Sequence, residues 1–419
     1  MNTFPAGYFR SPWPAEDGGP QRLQNPWGHP GLNLQAGERL RCTTRNTLLS
    51  TMTVLGDPRQ VYLLTHSALR AHWGAATTAR VEQIDPVSLK TLHASPRLPG
   101  GPMWPGGMAL HANGDLFVVY GRYAHRLNRA LEIQSAFQLP IDQAYNSFVI
   151  LDAGCIVTKN LSDTQAARLT VLTPDLQRAC ADIDCPEPSI ARLSSRGNVL
   201  YVVGVRSIFR YVWQADLQTL ALEDSWRHDY TSGTAQSYGW DVVIDGLHAW
   251  FMDNGRHNYL LRMIGSGLTP TANRLIRVSL TNSQDHAAWE ITGLSHGSIT
   301  NPPVVDTHNG LVLAYDSAHS VMRAWKMVDP EHSCNLQALW TRQIGCASHM
   351  IVYPDTGELV TNDYRRWGEE VVVLDTRTGK DKARVRSGGI TQGVVFPSVG
   401  WQRDLYWSSM GRLARIFVE

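Results

Sequence analysis

The sequence predicts an all-β fold in which short antiparallel sheets repeat around a closed ring. Three observations carry this expectation. An apolar run, a turn and a second apolar run ending in polar residues recur at a spacing of roughly 50 residues, the period of propeller blades. The last repeat stops one strand short, while a lone strand stands unused near the N-terminus. The 14 Trp, 35 Gly and 22 Pro suit many short strands joined by tight turns. Together they predict a single closed β-propeller of about eight four-stranded blades, with seven as the alternative.

Residues 346–387 show the repeating unit most clearly. A β-rich run at 348–353 meets the turn Pro354-Asp355-Thr356-Gly357, and a second run at 358–361 ends in Asn362-Asp363-Tyr364. A third run at 370–375 and a short charged fourth at 383–386 follow across another turn. Charge on the fourth run suits an exposed edge strand. Such a sheet has two apolar faces and needs neighbours built alike to cover them. Similar units are read at 48–95, 103–140, 145–185, 189–224, 239–293 and 298–343, and three strands of an eighth at 391–419. Residues 1–36 lack periodicity and are expected to lie as an arm across the surface of a propeller domain at 37–419. Residues 38–44 (ERLRCTT) are the N-terminal strand available to complete the last blade. The excursion at 256–272 carries apolar residues suited to a lid or a contact between subunits.

Bulk composition narrows the function. The chain of 419 residues is 43% hydrophobic and can bury a large core. Lys plus Arg (38) nearly balance Asp plus Glu (37), with no basic tract, so no nucleic-acid partner is expected. No run approaches the ~20 apolar residues of a membrane span. The N-terminal segment has no apolar stretch behind a basic start, so no secretory signal is expected. The six cysteines are scattered and read as free thiols of a cytoplasmic protein, with Cys180 and Cys185 the pair able to bridge or share a metal.

The turns "IDPVSLKTL", "LNRALEIQS", "LTPDLQRA" and "LDTRTGKDKARV" resemble the third-turn motif of the large propeller superfamily with quinoprotein-like, lactonase-like and gluconolactonase-like members. The resemblance covers nearly the whole chain and implies the fold, not a function. No pattern matches the cofactor site of the quinone-dependent members. The histidines do not fall one per blade, as the four-histidine iron propellers would require.

In a blade the first strand runs along the channel and the second returns antiparallel to it. First-strand starts and second-strand ends therefore share one face. Those positions hold a polar collection that alternation does not explain: Trp104, Tyr145, Asn146, Trp240, Asp241, Asn301, His349 and Gln392 from the first set, and Thr65-His66, Lys159, Asp253, Asp316, Asp363 and Tyr364 from the second. Unpaired carboxylates there would be costly to bury. Stapling of backbone amides is one solution for each of Asp253, Asp316 and Asp363. A shared channel mouth is the other. In that reading His349, with Asp241 or Asp363 fixing its tautomer, is the general base, and Lys159 neutralises a carboxylate or oxyanion. Trp104, Tyr145, Asn146, Trp240, Tyr364 and Gln392 bind substrate. Asp253, Asp316, Asn301 and His349 are the candidate ligands of one divalent ion, Ca²⁺ or Mg²⁺ for the oxygen set and Mn²⁺, Fe²⁺ or Zn²⁺ with the histidine.

No G-x-S-x-G elbow, H-E-x-x-H, phosphate loop or dinucleotide fingerprint is present. The sequence thus favours an enzyme acting on a small molecule at the channel mouth, of hydrolase, lyase or isomerase type. A non-catalytic propeller scaffold for a protein or peptide is the alternative.

Overall fold

Eight antiparallel sheets follow one another along the chain, each of four strands, with a short fifth, Leu98–Pro99, added to the first. The protein is an all-β propeller of eight blades. In this computed structural model the described residues are 3–47, 49–102, 106–256, 267–299, 301–330, 335–365, 368–389, 396–409 and 411–419. The eighth blade contains Ser398–Val399, Asp404–Ser409 and Arg412–Val418, and Leu40–Asn46 completes it by pairing antiparallel with the last of these. The N-terminal strand therefore closes the ring, as its spare position in the sequence foretold, and the count is eight rather than seven.

The burial pattern explains the sequence periodicity. Second strands such as Leu116–Tyr120, Ile156–Asn160 and Asp404–Ser409 are buried at every residue, because a neighbouring blade covers each face. Leu116–Tyr120 reads as an unbroken apolar run, and the other two as apolar runs with polar residues at their ends. Fourth strands such as Ile133–Gln138 and His286–Glu290 alternate along the outer wall, with one face toward solvent. The inner strands are Ser50–Leu55, Gly107–Leu110, Tyr145–Ile150, Ser194–Arg196, Val243–Ile244, Val304–Asp306, Ile351–Tyr353 and Ser398–Val399. Each is the edge of its sheet and turns unpaired backbone groups toward the axis.

The arm meets this demand, and here the structure corrects the expectation of a surface segment. Residues 13–24 run inside the ring at the ends of the inner strands, the lower side. Leu55, Leu110, Ser195, Ile244 and Val352 donate their amides to the carbonyls of Trp13, Pro14, Pro20, Gln21 and Gln24 at 2.8–2.9 Å. Ile150 N donates to the Tyr8 hydroxyl (2.8 Å), Gln24 Nε2 to Pro303 O (2.8 Å) and Arg403 Nε to Leu32 O (2.6 Å). Every blade thus holds the arm by at least one hydrogen bond. Aperiodic Pro/Gly-rich sequence predicts irregular backbone correctly; it says nothing of where that backbone lies. Gly18, at φ +78°, makes the reversal possible, since a Cβ there would stand 2.8 Å from Asn25 O.

Cys42, Cys155, Cys180, Cys185 and Cys346 are free thiols, so Cys180 and Cys185 do not bridge. No helix among the described residues is long and apolar enough to cross a membrane. Most of the excursion at 256–272 lies outside the described residues.

Trp13 is 1% exposed and packs in the core shared with Leu55, Trp407 and Tyr353. Trp13→Ala is expected to cost about 3–5 kcal/mol. Urea unfolding followed by circular dichroism measures it, with the exposed Trp73→Ala as a control near zero.

Candidate functional site

Where the arm turns, it sends three charged side chains into the axis. Glu16, Asp17 and Arg22 are all buried. Arg22 Nη1 donates to Glu16 Oε1 and, at 2.8 Å, to Asp17 Oδ2; its Nη2 reaches Ser147 Oγ at 3.0 Å and its Nε reaches Leu193 O at 3.0 Å. The other oxygen of Asp17 lies 2.7 Å from His349 Nδ1, and His349 is fully buried. The His349 ring lies against Phe396, with centroids 4.2 Å apart, and the Arg192 guanidinium sits 4.2 Å from the same ring. Arg192 Nε approaches Glu16 Oε1 at 3.1 Å, and its backbone amide donates to Asp241 Oδ1 at 2.7 Å.

Acids from the arm (Glu16, Asp17) and the ring (Asp241) thus interleave with bases from both (Arg22, Arg192, His349). Within this closed network His349 Nε2, Arg192 Nη2 and Asp241 Oδ2 have no hydrogen-bond partner, although they are buried. A buried polar atom left unmatched costs ~1–3 kcal/mol. Glu16 Oε2 and Arg192 Nε are likewise without a hydrogen bond, and five such atoms in one linked network point to a polar group that the site is built to receive.

The backbone is held in place at a cost. Asp17 (φ 54°), Arg22 (φ 56°) and Gln24 (φ 57°) all adopt the left-handed region without being glycine. Such positions cost on the order of 1 kcal/mol or more each and concentrate where geometry is functional. Burial works against the Asp17 carboxylate, but His349 and Arg22 beside it hold its pKa below the ordinary value. Lys159 is buried and donates from Nζ to Ser189 O at 3.0 Å. Burial pushes its pKa down to about 8; Arg192 adds to this, while Cys185 and Asp241 oppose it.

The structure brings His349, Asp241 and Lys159 toward this axial network. The partner it gives His349 is Asp17 of the arm, in place of the expected Asp241 or Asp363. The remaining residues are engaged elsewhere. Asp363 accepts from Gly345 N (2.9 Å) and Arg365 Nε (2.8 Å). Asp253 accepts from Arg274 N and Nε, both at 2.7 Å, and burial still raises its pKa to about 6. Asp316 accepts from Thr292 Oγ1 (2.9 Å), Ser298 N (3.2 Å) and His319 Nδ1 (2.7 Å). Asn301 Nδ2 donates to Ala347 O at 2.5 Å. These side chains staple loops within and between blades 5, 6 and 7.

Tyr145 sits in the core and accepts from Ile141 N (3.3 Å), and Trp240 is buried with Nε1 on Gly255 O (3.1 Å). Tyr364 is partly exposed at a second-strand end. Trp104, Gln392 and the Asn146 side chain lie outside the described residues.

The expected metal set is not assembled. Among the described residues no group of three or more His, Cys, Asp or Glu stands close enough to hold an ion. The carboxylates of Asp253 and Asp316 are spent on arginine, histidine and backbone donors, so the donor set does not fit a divalent cation. A cavity of about 890 Å³ lies on the lower face beside residues 25–31 and 353–355, away from the axial charges.

Sequence reasoning missed Glu16, Asp17, Arg22, Arg192 and Phe396. The available signal was EDGGPQR, two acids and a base flanking tandem glycines in an aperiodic stretch whose only other Asp, Glu, Lys or Arg is Arg10.

No family model matches the chain, and no curated protein matches its sequence. Solved structures match it in shape. Quinohemoprotein alcohol dehydrogenase from Comamonas testosteroni aligns with TM-score 0.67 at 10% identity, over 98% of this chain and 81% of that one. The quinohemoprotein alcohol dehydrogenase ADHIIG of Pseudomonas putida HK5 gives 0.61 at 10%, over 100% and 82%. A europium-containing methanol dehydrogenase gives 0.58 at 11%, over 97% and 98%. At such identities the likeness establishes the propeller fold alone.

Arg22→Ala removes the guanidinium that two buried carboxylates share and is expected to cost about 3–5 kcal/mol in urea unfolding. Adding Asp17→Asn to it should cost less than the two single changes summed, because they share one network. Lys159 gives a pH signature. Between about 8 in the fold and about 10.4 in the unfolded chain, the unfolded state binds more protons, so stability rises with pH across that window. Lys159→Met is expected to abolish the rise, measured as the difference between the two proteins' unfolding midpoints across that range.

Proposed function

We propose that this protein is an enzyme that transforms a small organic molecule at the axial network, by hydrolysis, elimination or isomerisation, with His349 as general base. One observation carries the reading: an imidazole whose Nδ1 is fixed 2.7 Å from a buried carboxylate, and whose Nε2 is buried without a partner. Asp17 accepts a hydrogen bond from Nδ1–H, selects the tautomer with a lone pair on Nε2, and stabilises the imidazolium that forms when Nε2 takes a proton. Arg192, held against Phe396 with Nη2 free, offers its charge to a substrate carboxylate or a developing oxyanion. Asp241, anchored through Oδ1, has Oδ2 without a hydrogen bond, 4.0 Å from Arg192 Nη1, where it can accept from a hydroxyl or a water. These three side chains supply proton transfer, charge stabilisation and orientation in turn.

The competing reading is a non-catalytic scaffold for a protein or peptide. In its favour, Glu16, Asp17 and Arg22 all tie the arm to the ring, which a purely structural lock would also do.

The test is an untargeted one. Wild type and His349→Gln are incubated with a pooled metabolite extract, and substrate loss and product gain are followed by mass spectrometry. The enzyme reading expects a conversion by wild type that falls about 10²–10⁴-fold in the variant. Equal conversion by both, or none by either, overturns it and leaves the scaffold.

A further inference from the structure

A second cavity, of about 370 Å³, opens where the ring is closed, between the N-terminal strand of blade 8 and the third strand of blade 1, Thr78–Ile84. Its volume falls in the ~300–1,000 Å³ range of small-molecule sites. Four guanidiniums line it, Arg45, Arg70, Arg80 and Arg97, against one carboxylate, Glu82. That carboxylate is already used: it accepts from Arg45 Nη2 at 2.6 Å and from Thr91 Oγ1 at 2.5 Å. Arg80 is fixed through Nε to Ser95 O at 3.1 Å, and no carboxylate pairs with Arg70, Arg80 or Arg97 among the described residues.

Most of the ring differs, although Arg323 of blade 6 is also without a carboxylate among the described residues and donates to Ile291 O. Third-strand arginines in five other blades meet an acid of their own blade: Arg126 with Asp115, Arg168 with Asp184, Arg210 with Glu223, Arg277 with Asp285 and Arg415 with Asp404. Arg80 has no such partner, and two further unpaired guanidiniums share its cavity. A chain with 38 basic and 37 acidic residues has here concentrated an excess of three positive charges in one concave space. Self-repulsion of that kind is relieved by an anion.

We propose that this cleft binds a phosphate-bearing small molecule. Guanidiniums present fork-shaped donors matched to phosphate oxygens. The volume leaves room for an organic body beside the phosphate. His66, at the cavity wall, lies tilted against Tyr120 with centroids 5.5 Å apart and has no hydrogen-bond partner at Nδ1. Burial pushes its pKa down to about 4, so at neutral pH it contributes a hydrogen bond and no charge. Because Arg45 belongs to the strand that closes the ring and Glu82 to the first blade, a ligand bridging this wall also clamps the closure.

The test uses the full chain with inorganic pyrophosphate and phenyl phosphate as probes, by titration calorimetry and thermal unfolding at fixed ionic strength. The proposal expects saturable binding of both and a raised wild-type midpoint. Arg80→Gln and the exposed Arg97→Gln should each weaken binding about tenfold or more, while Arg59→Gln, exposed and outside the cavity, should not. No saturable binding, or equal weakening by Arg59→Gln, overturns the proposal. So does binding of heparin alone, which would mark a diffuse polyanion surface.

Discussion

The structure depends on one constraint: a ring of eight sheets has eight inner edges, and each edge turns unpaired amides toward the axis. Those amides need acceptors, and side chains of the apolar inner strands cannot supply them. The arm can, because its irregular backbone leaves its carbonyls free of any sheet. Trp13, Pro14, Pro20, Gln21 and Gln24 each give one to a different blade. Proline suits this use, since it has a carbonyl to offer and no N–H to bury.

Filling the axis with backbone creates the second feature. A loop tight enough to turn inside the channel places residues 16, 17 and 22 with nowhere to go but inward, and these residues are charged. Their charges are matched by Arg192, Asp241 and His349 from the inner-strand approaches. The match is incomplete at five atoms, one on Glu16 of the arm and four on Arg192, Asp241 and His349 of the ring. The same loop carries three non-glycine residues at positive φ. Strain and unmatched polarity in one place mark geometry kept for use, because a merely structural plug would be cheaper with glycine and apolar side chains.

The seam tells a related story at the rim. Sharing the last blade between the two ends of the chain brings Arg45 beside Glu82, consuming the one acid in a cleft of four arginines. Closure of the ring and excess charge in the cleft therefore have one cause. Both features lie where segments distant in sequence are forced together.

Local pattern by itself determined the architecture. Buried second strands read as apolar runs, outer strands as charged or alternating ones, and the spare strand at the N-terminus answered the missing strand at the C-terminus. Each of these is a property of a few consecutive residues, and the ring follows from repeating it. The pattern also marked His349 and Asp241 as polar where apolar residues would be cheaper. It could not tell them in role from Asp253, Asp316 and Asp363, because first-strand starts and second-strand ends share one face and only the partners distinguish a stapling aspartate from a site residue. Those partners were a matter for tertiary structure alone. That Asp17 meets His349 across 332 positions of chain, or that Arg80 lacks the acid that third-strand arginines in five other blades have, depends on where an aperiodic arm is threaded and which blades the seam joins, and no sequence period encodes either.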